Sequence, residues 1–152
     1  MALPSSGALS LNQIQTEFGG SNPISLSEYY SVAGGVPSSG TISINNFYGT
    51  SALTLTTNPA NGTDSDLAVG AGNTATATVS ITSNLAVTWS FSLVSGDSGW
   101  VQGSTNSTST SVSISNGGPT ATKSSVIDVT ATIAGVTPVT TRVTITASWT
   151  SA

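Results

Sequence analysis

Six carboxylates and two cations are all the formally charged side chains in this 152-residue chain, which has no histidine and no cysteine. That removes Ser–His and Cys–His nucleophile pairs, imidazole metal sites, cysteine-based zinc sites and any disulfide framework. The carboxylates are Glu17, Glu28, Asp64, Asp66, Asp97 and Asp128. A glycosidase needs two of them facing across a cleft. Only Asp64 and Asp66, read as lying in one loop, would be placed to face Asp97. Glu28 fits a helix-capping role, Glu17 a solvated helix end, and Asp128 alternates outward between Ile127 and Val129. The expectation is therefore no enzyme: no catalytic residue and no cofactor. The run Asp64-Ser65-Asp66 offers the hard oxygen ligands that calcium takes, but no acidic residue closes a twelve-residue calcium loop, and a polar turn without metal is expected. Trp100, in SGDSGWVQG, is the one candidate for stacking on a sugar, although a loop tryptophan more often packs over the end of a core. Asn61-Gly62-Thr63 and Asn106-Ser107-Thr108 are glycosylation sequons that matter only in a eukaryotic secretory route.

Charge excludes further classes. Lys123 and Arg142 are the only cations, so no row of phosphates can be neutralised and nucleic-acid binding is not expected. Nor is there a basic patch for anionic lipid. The formal net charge is −4, yet only 5% of residues are charged, where a soluble domain normally uses about a quarter. With 37% hydrophobic residues, a core can form, and its surface must be Ser, Thr, Asn and Gly. Such a surface fits a protein held in a larger assembly or working outside a cell. The opening MALPSSGALSL has neither a basic residue nor a long apolar run, so no secretory signal is expected. No stretch approaches the roughly 18 apolar residues of a membrane helix.

The elements that carry these residues fall into two regions, 1–50 and 51–152. In the first, PSSGALSLNQIQ (4–15) returns as PSSGTISINNFY (37–48), with a looser copy, NPISLSEYY, at 22–30. Each copy reads as a helix start. Ser10 stands as N-cap with Gln13 completing a capping box, while Leu9 and Ile14 form a hydrophobic staple and Phe18 extends the apolar side. Ser25 with Glu28, and Ile24 with Tyr29, repeat the design, followed by Tyr30. Ser43 caps a third turn, with Ile42 against Phe47 and then Tyr48, but Asn46 makes its box weaker. The glycine pairs 19–20 and 34–35 are expected to end the first two helices, the first in a left-handed cap. Helices this short are unstable alone, and about 50 residues rarely sustain so small a core. They form either a miniature subdomain or, the expected case, a docking segment that completes its core against a partner. The docking residues would then be Leu9, Ser10, Ile14, Phe18, Ile24, Ser25, Tyr29, Tyr30, Ile42, Phe47 and Tyr48.

From Leu53 the apolar period becomes two. LTLTT (53–57), TATATVSIT (74–82), LAVTWSFSL (85–93), SVSIS (111–115), IDVTATI (127–133) and RVTITASW (142–149) are predicted strands, with a seventh near Leu67–Val69 or Trp100–Gln102. One apolar face per strand and glycine-rich turns predict an antiparallel β-sandwich. The fold class is thus mainly β, an Ig-like sandwich preceded by short capped helices. Trp89 would be its central buried tryptophan, with Val79 and Val129 or Ala131 filling the space that a disulfide would take.

The segments AVTWSFS, DVTATIAG and VTITASW resemble the bacterial Ig-like family over residues 53–150, which implies a fold and no function. The triple repeat over residues 2–49 resembles the start of structural proteins of tailed bacteriophages, where an I-S-L-x-x-F/Y unit precedes a variable β domain. That resemblance implies an accessory structural protein of a virion in head, neck or tail. It would assemble in the host cytoplasm, in many copies or as a homo-oligomer, against other virion proteins. The alternative it allows is an adhesion module that binds host-surface glycans, with Trp100 as the contact.

Overall fold

A computed structural model of the chain describes residues 2–68, 74–117 and 121–151; the side chains of 64–68, 121 and 149–151 lie outside that description. Two compact units are present: residues 1–54 with 132–138, and residues 55–131 with 139–152.

In the first unit the three repeats become one helix and two single 3-10 turns. Helix α1 spans Leu11–Phe18, and the turns span Leu26–Tyr29 and Ile44–Phe47. Only the first copy continues, because Leu11, Ile14 and Phe18 keep helical spacing beyond the cap. It ends at Gly19, whose positive φ comes with ψ −160°, so the cap is not the expected left-handed one. The second copy does not run on to Gly34-Gly35. Tyr30 is already extended (ψ 137°), and Ser31 takes a φ of 58°.

The fourth position after each cap is the residue that goes inside. Ile14, Tyr29 and Phe47 are all essentially inaccessible to solvent, joined by Leu3, Ala33 and Val36. Their staple partners Leu9, Ile24 and Ile42 pack half-buried around them, together with Phe18. Phe18, Tyr29 and Phe47, one aromatic from each copy, form a triangle of tilted and edge-on rings with centroids 6.0–6.5 Å apart. Where a docking segment was expected to complete its core on a partner, six residues of that core are buried within this chain and the apolar residues around them are half-buried.

Hydrogen bonds explain why the sequence repeats. The residue after each buried position reaches the loop that leads into another copy. Gln15 Nε2 donates to the Gly20 carbonyl (3.2 Å), Tyr30 Oη to Gly40, and Tyr48 Oη to Gly7 (2.6 Å). The two tyrosine clamps match in their backbone as well. Ser31 N donates to Pro37 O (3.1 Å) and Gly49 N to Pro4 O (3.0 Å), both from residues with positive φ. Copy one therefore ties the approach to copy two, copy two that to copy three, and copy three that to copy one. The ring is closed by Leu3 N donating to Thr50 O at 2.8 Å.

In the second unit, eight strands are found among the described residues. They are β1 (Leu55–Asn58), β2 (Gly62–Ala68), β3 (Ala75–Ser83), β4 (Thr88–Gly96), β5 (Trp100–Gln102), β6 (Ser109–Asn116), β7 (Ala121–Thr132) and β8 (Val139–Ser151). Both places offered for a seventh strand are strands, although Val69 lies outside the described residues. The sheets are ordered β1-β3-β6-β5 and β2-β8-β7-β4. This is the order of an Ig-like sandwich whose first strand is divided between the two sheets. One pair departs from the antiparallel expectation: β2 runs parallel to β8, with Gly62 opposite Ile145. The chain crosses from one sheet to the other between β1 and β2, so β2 enters in the direction of β8. Gly62 permits the crossing, because a Cβ there would lie 2.9 Å from the Thr78 carbonyl oxygen. Asn61 Oδ1 fastens it by accepting the Thr144 amide at 3.0 Å.

Alternation fills the space between the sheets. Ala75, Ala77, Val79 and Ile81 of β3 and Val112 and Ile114 of β6 face Ile127, Val129 and Ala131 of β7 and Val143, Ile145 and Ala147 of β8, all essentially inaccessible. Small meets large across the β3–β6 ladder, as at Ala77 opposite Ile114. Trp89 is not at the centre. It is half-buried against this core, with its indole N–H donating to Asn106 O at 2.9 Å, because β4 is an edge strand.

Candidate functional site

The described carboxylates hold the fold together. Glu28 Oε1 accepts the Ser25 amide (3.3 Å) in the second capping box. Asp97 Oδ2 accepts the Ser124 amide (2.8 Å), while its own N–H and C=O bond to Ser124 O and Ser125 Oγ. That close approach depends on Gly96, whose φ is 95° and where a Cβ would fall 2.1 Å from Ser124 O. Asp128 makes a two-point ion pair with Arg142 at 2.7 and 2.8 Å on the outer face of β7–β8. The guanidinium hydrogen bond, against some desolvation, holds the Asp128 carboxyl below its ordinary range. Glu17 Oε1 accepts the Ala52 amide at 3.0 Å. Desolvation raises its pKa, but the hydrogen bonds that it accepts outweigh this and the net shift is downward.

Asp64 and Asp66 do not sit in a loop: their backbone is part of β2, and their side chains lie outside the described residues. An extended strand sends successive carbonyls to opposite sides, so the expected turn cannot converge them on a cation. Among the described residues no group of three His, Cys, Asp or Glu is positioned around a common point. Both sequon asparagines use their side-chain oxygens internally, Asn61 on Thr144 and Asn106 on the Thr108 and Ser109 amides (2.9 and 2.8 Å).

The expected docking residues separate into three sets. Ile14, Tyr29 and Phe47 are core, and Tyr29 Oη donates to Gly19 O at 3.0 Å. Burial, and then the charge of Glu28, push that phenol's pKa up, which keeps it protonated as a donor. Leu9, Phe18, Ile24, Tyr30, Ile42 and Tyr48 are half-buried, and only Ser10 and Ser25 are exposed. The PSSG loops are exposed at Ser5, Ser6, Ser38 and Ser39. A depression of about 300 Å³ on the same unit is lined by Ala2, Leu3, Pro4, Gln13, Thr16 and Glu17.

Trp100 is half-buried at the start of β5. Its ring packs on Phe91 of β4 with centroids 6.0 Å apart and an interplanar angle of 39°, so part of the surface that a sugar would need is already covered. Sequence reasoning did not single out three exposed apolar side chains. Leu93, Val94 and Val101 are exposed by 39%, 43% and 60%. The available signal was the pair Leu93-Val94, two apolar residues in succession where strict alternation allows one.

Comparison of the chain with protein-family models, with curated proteins and with solved structures gave no match.

Proposed function

We propose that this chain is an accessory structural protein of a bacteriophage particle. Its N-terminal unit attaches it to other virion proteins, and its Ig-like unit is displayed or braces neighbouring subunits in head, neck or tail. The observation that supports this reading most is the ring of three capped turns. The residues that carry the resemblance to tailed-phage structural proteins are the ones that build this unit: Ser10, Ser25 and Ser43 as caps, and Ile14, Tyr29 and Phe47 as core. A surface made almost wholly of hydroxyl and amide side chains, on a chain with 5% charged residues, suits a part that is assembled with others rather than one that works freely diffusing.

The test is cosedimentation with particles from an infected lysate. The tagged full chain should appear in the particle fraction, and residues 55–152 alone should remain in the supernatant. Adding Ser6→Arg with Ser39→Arg, both in exposed loops, should reduce incorporation without lowering the melting temperature. A full chain that never enters the particle fraction would remove the reading. Incorporation of the 55–152 fragment would move attachment to the sandwich.

A further inference from the structure

An edge strand presents unpaired backbone N–H and C=O groups, and proteins normally guard such edges by shortness, lysine, proline or a bulge. In this sandwich β1 has four residues and β5 three. β4 has nine, TWSFSLVSG, with no charge and no proline, and it forms the end of the β2-β8-β7-β4 sheet. Among the described residues its beginning is covered: Val87 N donates to Ser107 O (2.7 Å) and Trp89 Nε1 to Asn106 O (2.9 Å). From Ser92 to Gly96 every residue is exposed. Leu93 and Val94, two of the three exposed large apolar side chains among the described residues, lie in this stretch.

We propose that the open edge of β4 pairs with the β4 of a second copy, antiparallel about a two-fold axis at Ser92. The argument for a copy of the same chain is the strand itself: TWSFSLVSG has no ionic group, so two copies set edge to edge oppose no like charges there although each chain carries a net −4. The nearest carboxylate, Asp97, is tied to the Ser124 amide. The strand is also self-complementary under two-fold symmetry. A centre at Ser92 sets Leu93 opposite Phe91 of the second copy and Val94 opposite its Ser90. Phe91 and Leu93 share the inward face of the strand, so the pair continues one apolar layer into the next. Ser90, Ser92 and Val94 share the outer face. This inference does not depend on the particle reading.

The test is light scattering and analytical ultracentrifugation of the full chain over a wide concentration range. A reversible monomer–dimer equilibrium is expected. Ser92→Lys and Ser92→Glu each put two like charges directly opposite one another and should each weaken the dimer roughly fivefold or more. Mixing the two variants should restore association as a heterodimer. Ser92 is exposed, so both variants should keep the parent melting temperature, and Val94→Lys provides an independent probe of the same edge. A chain that stays monomeric overturns the proposal. So does a dimer indifferent to all three substitutions, or a Lys–Glu mixture that associates no better than either variant alone.

Discussion

Phe47 and Trp89 show how strongly position decides what an aromatic side chain contributes. Phe47 is enclosed by rings from the other two copies, so Phe47→Ala should cost about 3–5 kcal/mol through loss of transfer energy and the cavity left behind. Trp89 is half-buried on an edge strand, so Trp89→Ala should cost less than that. Trp89→Phe, which deletes the bond to Asn106 O, should cost about 1 kcal/mol. Urea unfolding of the three variants checks the order; a Trp89→Ala loss equal to that of Phe47→Ala would place the indole at the core centre after all. Residue chemistry also sets the acid limit. Glu17 and Asp128 have folded pKa values below those of the unfolded chain, which lie near about 4. A depressed folded pKa gives a contribution that is complete above the unfolded pKa and is lost as pH falls through the folded one. The urea midpoint should therefore be level between about pH 7 and 5 and decline below about pH 4. Glu17→Gln, which retains an acceptor for the Ala52 amide, should make that decline shallower.

At the scale of elements, the three caps are alike in sequence and unlike in bonding. Ser10 Oγ accepts the Gln13 amide and Ser25 Oγ the Ser27 amide, both at 3.3 Å. Ser10→Ala and Ser25→Ala should therefore each cost about 1 kcal/mol. The box residue holds the third turn as it holds the first, where Gln13 Oε1 accepts the Ser10 amide at 2.8 Å and the Ser10 hydroxyl at 3.1 Å. Asn46 Oδ1 accepts the Ser43 amide at 2.8 Å and the Ser43 hydroxyl at 3.1 Å. There Asn46→Ala should destabilise more than Ser43→Ala, the reverse of what a simple N-cap rule would rank. Thermal melts of the four variants measure this. The asparagine that looked like the weak member of the box is the acceptor on which the turn depends.

At the scale of the whole molecule, each unit has its own apolar cluster, and the sandwich should unfold cooperatively when expressed as residues 55–152. The tip between β7 and β8 is the exception. Residues 132–138 cluster with the first unit, where Val136 is buried and Thr137 N donates to Ser31 O at 2.8 Å. In the fragment, amide exchange should remain slow along β3, β6, β7 and β8 but become fast at Thr137. Slow exchange at Thr137 in the fragment would show that the tip orders itself without the first unit. A fragment with no protected amides would overturn its autonomy.

What the sequence alone determined is local or periodic. The period-two runs identified six of the eight strands found among the described residues and their inward faces, because a pleated backbone turns alternate side chains the same way whatever it pairs with. The cap and staple spacings located all three turns, because those contacts span only a few residues. Tertiary structure decided everything that depends on which distant segments meet. The parallel β2–β8 pair follows from a crossing that only Gly62 and Asn61 betray. The cyclic clamps join residues as far apart as Gly7 and Tyr48, and no spacing rule reaches that distance. Trp89 lost its central place because β4 ended at an edge. Leu93 stayed exposed for the same reason, since alternation states which face a residue lies on and not whether anything covers that face.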